Sequence, residues 1–301
     1  PLFRNLIFLY NKFSPINFIQ YISQLKNEVV TNKPYVPLTV DTKNAKQWNK
    51  WLENVDPKDY FTSTWLFTEC YVYRRLWEAF ELHLWSNKCD LSLTLGDVPD
   101  TLVDPIQLIT QYKDKVLVDD SSKVADQIVT KAENMRKTIA DIVCDNAGYE
   151  LFTDLCIAHY LITKEVVNKV RFHVKSIPWF VSDVTPKDFQ YSLNRSSTPA
   201  DDFWTSPHPY KDMKKYDPAL YRKLQFAIAI LFKGDLNYRK LLGDKNWNPV
   251  NGFENSLQGF IPSPIIAIRT VKSEIICGMP KGKFELVSKI DEKWMEKGDF
   301  G

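Results

Sequence analysis

The chain has 301 residues, 44% of them apolar, so it is long enough to bury a large core without covalent cross-links. Its net charge of +2, from 39 basic and 37 acidic residues, gives no electrostatic reason to expect a nucleic acid or an acidic membrane as partner. Five cysteines, an odd number, suit no complete disulfide framework, and no apolar run approaches the roughly 20 residues that span a bilayer. We therefore predict a soluble protein with reduced thiols, located in the cytoplasm or the nucleus.

Residues 1–95 are predicted to form a helical N-terminal region. Apolar residues recur there at spacings of three and four between Ile16 and Trp85, which is the period of an amphipathic helix. Three prolines interrupt the pattern and indicate breaks between helices. The pattern therefore predicts an N-terminal helical layer.

Residues 96–301 alternate between short β-branched segments and amphipathic segments, a pattern typical of βαβ units around a parallel sheet. The predicted strands are Lys115–Val118, Ile142–Cys144, Val170–Val174, Pro178–Asp183, Ala227–Phe232 and Ile265–Ile268. The predicted helices are Lys123–Ala140 and Leu151–Thr163. The expected fold class is α/β, a three-layer α/β/α Rossmann-like arrangement with a mostly parallel sheet and an N-terminal helical layer.

Four polar clusters follow apolar stretches in this part of the chain, at residues 145–150, 182–185, 233–240 and 269–272. Ligands of open α/β sheets bind outside the carboxyl ends of parallel strands, so clusters at those ends would converge in space. Two clusters contain carboxylates and an amide, which suit a hard metal ion, and two contain Lys and Arg, which suit an anion such as phosphate. The clusters together predict one composite site.

Asp145 and Asn146 stand at the start of a predicted helix, where the alternative role is an N-cap. Asp183 favours the functional interpretation, because it too follows an apolar run. Two carboxylates and one amide oxygen would leave positions open on an octahedral ion for water and a substrate oxygen. These residues therefore predict a catalytic metal site.

The two basic clusters are weaker signals by themselves. Gly234 would let the backbone approach an anion closely, but the spacing of a Walker motif is absent, and a Gly-Asp turn with exposed basic residues would look the same. Lys272 could offer a point charge to a phosphate, or it could be an ordinary surface lysine. Cys144 has no histidine near it in sequence, and we expect a buried thiol there rather than a nucleophile.

The segments resemble the damage-control phosphatase family, in its subfamily of acidic-residue-methyltransferase-like proteins, subfamily III. Arg269-Thr270-Val271-Lys272 matches the RTxK signature of that subfamily. The other matching stretches are Trp65–Arg75, Leu84–Leu93, Asp145–Glu150, Pro178–Thr185 and Phe232–Asp244. The resemblance extends from about Asn27 to Gly301.

This resemblance implies that Asp145, Asn146 and Asp183 are the catalytic metal ligands and that the metal is Mn, Co, Ni or Mg. The residues predicted to bind the substrate are Glu150, Asp235, Leu236, Asn237, Tyr238, Arg239, Arg269 and Lys272, with Asn87 and Asp90 as further candidates. Members of the family carry additional sequence after the position of Phe80 and around that of Ser196.

The resemblance also implies hydrolysis of small phosphometabolites such as fructose 1-phosphate and fructose 6-phosphate. The expected partner is thus a small phosphorylated sugar. Either a metal-activated water or Asp145 itself would attack the phosphorus. The alternatives are an S-adenosylmethionine-dependent protein-glutamate O-methyltransferase, which would need a glycine-rich turn that we do not find, and a non-catalytic sensor of sugar phosphates.

Overall fold

The computed structural model describes residues 15–39, 43–84, 113–133, 135, 137–193, 201–298 and 300–301. The chain divides into two compact units, Pro1–Leu102 and Val103–Gly301. The domain boundary predicted after residue 95 lies outside the described residues, so it stays a prediction. None of the described helices is both long enough and apolar enough to cross a lipid bilayer.

The first unit contains the helices α1 (Pro15–Val30), α2 (Lys43–Asn54) and α3 (Trp65–Leu84). Its core includes Trp48 and Tyr71, whose rings lie 6.4 Å apart and are fully buried. The prediction of a helical region is confirmed for these residues.

The second unit is built on a four-stranded sheet. Its strands are β1 (Ile139–Val143), β2 (Lys169–His173), β3 (Ala229–Lys233) and β4 (Ile265–Ile268), all parallel, in the order β2-β1-β3-β4. After β1 the chain forms β2 on one side of β1, and it then crosses over to form β3 on the other side. A crevice at the carboxyl ends of β1 and β3 is therefore expected, because the direction of winding reverses there.

Helices precede, connect and follow these strands. They are α4 (Ser121–Glu133), α5 (Tyr149–Thr163), α6 (Pro186–Leu193), α7 (Met213–Tyr216), α8 (Pro218–Leu224), α9 (Asp235–Leu241), α10 (Phe253–Ser256), α11 (Lys283–Ile290) and α12 (Trp294–Lys297). Single 3₁₀ turns occur at Lys113–Lys115, Asp202–Thr205 and Tyr210–Asp212.

Successive strand residues point to opposite faces of the sheet, and both faces are covered. On one face Ile142 packs in a cluster with Leu151 of α5. On the other face Val143 and Ile230 pack in a cluster with Leu224 of α8. The sheet thus lies between two helical layers, and the predicted α/β fold with a parallel sheet is confirmed.

The predicted strand Lys115–Val118 is wrong. It consists of the end of a 3₁₀ turn and irregular chain, in which the amide of Leu117 donates to the carbonyl of Gly301 at 2.6 Å. Val116 and Val118 are 45% and 40% exposed. The β-branched run therefore lacks the burial that would place it in the sheet.

Three further boundaries differ from the predictions. The helix predicted over Lys123–Ala140 ends at Glu133, because Ile139 already pairs with β2. The strand predicted over Pro178–Asp183 is a turn, in which Phe180 and Val181 have φ angles of 47° and 75°. Strand β4 ends at Ile268 and does not continue through the RTVK run.

Candidate active site

The four polar clusters lie where the strands of the second unit end. Asp145 follows β1 by two residues, and Lys233 is the last residue of β3. Asp183 lies beyond the end of β2 and reaches the site through the turn at Phe180 and Val181. The carboxyl ends of the strands therefore collect these side chains at one edge of the sheet, as the topology requires.

Main-chain pairing brings the segments around Asp145 and Asp183 together. Asn146 and Asp183 form an isolated antiparallel bridge, and the flanking amide of Val184 donates to the carbonyl of Asp145 at 2.7 Å. The positive φ angles in the preceding turn reverse the chain so that this pairing is possible. The predicted meeting of the two carboxylates thus depends on backbone hydrogen bonds.

The carboxyl groups of Asp145 and Asp183 lie close enough to influence each other through a hydrogen bond. Burial raises the pKa of Asp183, the charge of Lys175 opposes this rise, and the neighbouring charge of Asp145 adds to it. Burial also raises the pKa of Asp145. Two acids this close together need a nearby positive charge if both are to be ionised.

One oxygen of this pair has an unfilled hydrogen-bonding position. Oδ2 of Asp183 is buried and accepts no hydrogen bond from the described residues. Nζ of Lys175 is 3.3 Å away, but its hydrogen bond goes to the carbonyl of Cys144 at 2.7 Å. Lys175 therefore forms an ion pair with Asp183, and its single positive charge acts on both acids.

The amide of Asn146 has a defined orientation. Its Nδ2 donates to Oδ2 of Asp145 and to Oε2 of Glu150, both at 2.9 Å. Its Oδ1 accepts from the hydroxyl of Ser182 at 2.6 Å. The amide oxygen therefore faces away from Glu150.

Carboxylate and amide oxygens are the donors that Mg and Mn take in proteins, and the unfilled oxygen of Asp183 adds a specific place for such an ion. The described residues contain no metal-binding group of three or more His, Cys, Asp or Glu side chains. The predicted set has only two carboxylates, with an amide as third donor. These residues fit a divalent cation, and their role as ligands stays a prediction.

Lys233 connects two acidic residues of α5. Its Nζ lies 2.9 Å from Oε1 of Glu150 and 2.8 Å from Oδ1 of Asp154. Burial alone would raise the pKa of Glu150, but the hydrogen bonds from Lys233 and Asn146 outweigh it and lower the pKa. Glu150, predicted to contact substrate, is therefore an ionised group held on both oxygens.

Asp235 and Arg269 form an ion pair on the β3–β4 side of the site. Oδ1 of Asp235 accepts from Nη1 of Arg269, from the backbone amide of Lys272 at 3.3 Å and from the hydroxyl of Ser273 at 3.2 Å. Arg269 also donates to the carbonyl of Ile275 at 2.6 Å. Both side chains hold the RTVK turn in place.

The other predicted substrate residues of α9 have mixed placements. Tyr238 lies with its ring 3.8 Å from the guanidinium of Arg269. Arg239 is ion-paired with Asp244 at 2.8 Å. Leu236 is buried.

Asn237 is buried as well and is bonded on both ends of its amide. It donates to the carbonyl of Lys233 at 2.6 Å and accepts from the hydroxyl of Tyr210. Lys272 differs from these side chains because it is exposed, yet its charge lowers the pKa of Asp145. Asn87 and Asp90 lie outside the described residues.

Gly234 is the glycine that the site geometry requires. Its φ is +86°, and a Cβ at this position would lie 2.1 Å from Oδ2 of Asp145. The carboxylate of Asp145 thus rests directly on the backbone at the end of β3. Any other residue here would displace Asp145.

The sequence prediction omitted Lys175 and Asp154 from the site. Lys175 could have been found by the strand-end rule, since it follows β2 by two residues. Asp154 lies four residues after Glu150 and so shares its face of α5. The prediction of a buried thiol at Cys144 is confirmed, because the residue is 1% exposed and burial raises its pKa.

Residues 78–287 match the sequence profile of the Damage-control phosphatase ARMT1-like domain. The chain belongs to this family. The Damage-control phosphatase ARMT1 of Danio rerio is 32% identical over 374 aligned residues, which cover 94% of this chain and 84% of the relative. The proteins of that name from Mus musculus and Homo sapiens are each 32% identical, over 94% of this chain and 85% of the relative. The family resemblance and the prediction of a phosphatase enzyme are confirmed.

The alignment with the Danio rerio protein covers 374 positions, whereas this chain has 301 residues. The relative therefore contains segments that this chain lacks. The places predicted for them, after Phe80 and around Ser196, stay predictions.

Proposed function

We propose that this protein is a metal-dependent phosphatase that hydrolyses small phosphometabolites, with sugar phosphates such as fructose 1-phosphate and fructose 6-phosphate as substrates. Mn, Co, Ni or Mg would be the metal. One observation carries the proposal: a main-chain bridge joins the segments of Asp145 and Asp183, and the buried Oδ2 of Asp183 accepts no hydrogen bond from the described residues. Membership of a phosphatase family supports it.

Asp145, Asn146 and Asp183 would hold the cation. When bound, a divalent cation neutralises charge on the phosphoryl group and on a nucleophile. Phosphoryl transfer depends mainly on positioning and charge neutralisation, which suits a site made of fixed acids and lysines. Asp145 could also attack the phosphorus itself and form an aspartyl-phosphate.

Lys272 is the cation that we assign to the substrate phosphate. It is exposed, and its charge reaches Asp145. Arg239 and Lys233, in contrast, are already paired with acidic side chains of the protein. A flexible lysine that offers a point charge suits a phosphate that must enter and leave.

The test is phosphate release from a panel of phosphorylated sugars, each assayed with Mn²⁺, Co²⁺, Ni²⁺ and Mg²⁺. We expect release that a chelator abolishes and that Lys272→Met weakens chiefly through a raised KM. Asp126→Asn, which removes an exposed carboxylate of α4, is the matched control and should leave the rates unchanged. Absence of release with every combination of sugar and metal would refute the proposal.

The same samples test the methyltransferase alternative if transfer of a methyl group from S-adenosylmethionine is measured beside phosphate release. The turn after β1 contains Asp145, Asn146 and Gly148 and is not rich in glycine. We therefore expect phosphate release without methyl transfer. The opposite result would favour the methyltransferase.

A further inference from the structure

We propose that Lys233 and Asp154 are positioning residues that act through Glu150 to fix which end of the Asn146 amide faces the cation. The inference rests on the metal site of the proposed function. It adds two residues to that site and gives Glu150 a role other than contact with substrate.

An unbroken series of contacts joins the four side chains. Asp154 Oδ1 lies 2.8 Å from Lys233 Nζ, and the same nitrogen lies 2.9 Å from Glu150 Oε1. The other oxygen of Glu150, Oε2, accepts from Nδ2 of Asn146 at 2.9 Å. Each contact is within the range of a direct hydrogen bond.

An asparagine amide needs neighbouring groups to fix its orientation, because its two ends have nearly the same shape and opposite hydrogen-bonding chemistry. The oxygen can bind a cation, whereas the NH₂ group can only donate. A carboxylate paired with an ammonium group accepts hydrogen bonds and offers none. Glu150 therefore attracts the NH₂ end of Asn146, which also donates to Oδ2 of Asp145 at 2.9 Å, and the oxygen end faces the other way, where Ser182 contacts it at 2.6 Å.

Glu150 could not hold this place alone. It lies one helical turn before Asp154 on α5, and like charges at this spacing repel each other. Lys233 lies between the two acids and is anchored on the last residue of β3. Asp154 is fully buried, so it fixes the ammonium group from the side away from Asn146. The sheet thus sets the position of Glu150.

The first test replaces Lys233 with Met, which keeps most of the side-chain volume and removes the charge. We expect Mn²⁺ to bind about 10- to 100-fold more weakly, the usual cost of losing an outer-shell partner of a metal ligand. Binding is measured without substrate, by titration of the whole chain and electron paramagnetic resonance of free Mn²⁺. Lys233→Arg, which keeps the charge, should restore part of the affinity.

The matched control is Arg171→Met, which breaks a partly buried ion pair of the same sheet, formed with Asp141 at 2.6 Å. It should lower the melting temperature and leave the affinity for Mn²⁺ unchanged. Asp154→Asn is the second variant, for use if Lys233→Met does not fold. It keeps the shape of Asp154 and should weaken Mn²⁺ binding in the same direction by a smaller factor.

The inference is overturned if the folded Lys233→Met or Asp154→Asn protein binds Mn²⁺ as tightly as the wild type. It is also overturned, together with the metal site, if the wild type binds no divalent cation. Wild-type protein that binds Mn²⁺ in a Lys233-dependent way but releases no phosphate would refute the proposed function and support the positioning role.

Discussion

The two sides of the crevice use their charged groups differently. On the β1–β2 side Asp183 is buried beside the half-buried Asp145, and one oxygen of Asp183 accepts no hydrogen bond from the described residues. On the β3–β4 side one oxygen of Asp235 accepts from three donors, among them Arg269. On the first side two acids share the charge of Lys175, whose Nζ lies 3.3 Å from Asp183, whereas on the second side Asp235 is matched by Arg269.

This difference separates groups that bind a ligand from groups that hold the structure. A buried charge is stable only when it is paired, so an acid pair with an open oxygen indicates a place for an external cation. A closed ion pair offers nothing further to a ligand. We therefore interpret Asp183 as a site for chemistry and Arg269 as support for the RTVK turn, although both were predicted to contact metal or substrate.

The largest expected effect follows from Asp183→Asn. Loss of this carboxylate should lower metal-dependent phosphate release on the order of 1000-fold, since charge stabilisation in the transition state is lost. Mn²⁺ at 100 times its Kd should stabilise the wild type by about 2.7 kcal/mol and the variant by far less. Melting curves with and without Mn²⁺ measure this. Equal metal stabilisation of both proteins would remove Asp183 from the cation site.

Arg269→Met tests the other side of the comparison. It leaves Asp235 largely buried without its cation, which should cost about 3 kcal/mol of unfolding free energy, as measured by urea denaturation. The double variant with Asp235→Asn should recover part of this loss, because the unpaired charge is gone. If Arg269 bound the phosphate instead, the single variant would raise KM and leave the unfolding free energy nearly unchanged.

Gly234→Ala and Gly148→Ala compare two glycines that precede helices with positive φ angles of 86° and 77°. Both variants should lose about 1 kcal/mol of stability from backbone strain. Only at Gly234 would the new Cβ meet Asp145, so this variant should also lose about 10-fold or more in phosphate release, a loss of about 1.4 kcal/mol in barrier terms. Similar rates for the two variants would show that Asp145 moves without consequence.

The smallest expected effect concerns His208, which lies in neither half of this comparison. Burial, together with the charges of Lys240 and Lys215, lowers its pKa from 6.5 to about 4. The unfolded chain then binds more protons than the folded chain between these values, so stability falls as pH falls from 6.5 towards 4. We expect a loss of roughly 1 kcal/mol, discounted for partial exposure, that His208→Gln removes. Urea denaturation at pH 7 and pH 5 measures it, and equal pH dependence in both proteins would contradict it.

The sheet could be predicted because its strands are short apolar runs separated by segments with the apolar spacing of helices. Both boundaries of β4 agree with the prediction. The predicted ligands Asp145 and Asp183 came together because strand ends in a parallel sheet share one edge. The turn at Val181 was missed, since a β-branched residue with positive φ is rare and is imposed here by pairing between distant segments.

Partner choice among charged residues could not be predicted from their types. Arg269 and Lys272 are equally basic in sequence, but the structure pairs one with Asp235 and leaves the other exposed. The same limit applies to Asp154, whose importance depends on Lys233, 79 residues away. Such pairings depend on tertiary packing and carry no local signal.

The bridge between Asn146 and Asp183 has a consequence for protein engineering. Because main-chain hydrogen bonds set the spacing of these two positions, that spacing should survive exchange of the side chains. Histidine or cysteine introduced there would inherit the same separation with softer donor atoms. The bridge would thus let different donor atoms be tested at these two positions without rebuilding the backbone.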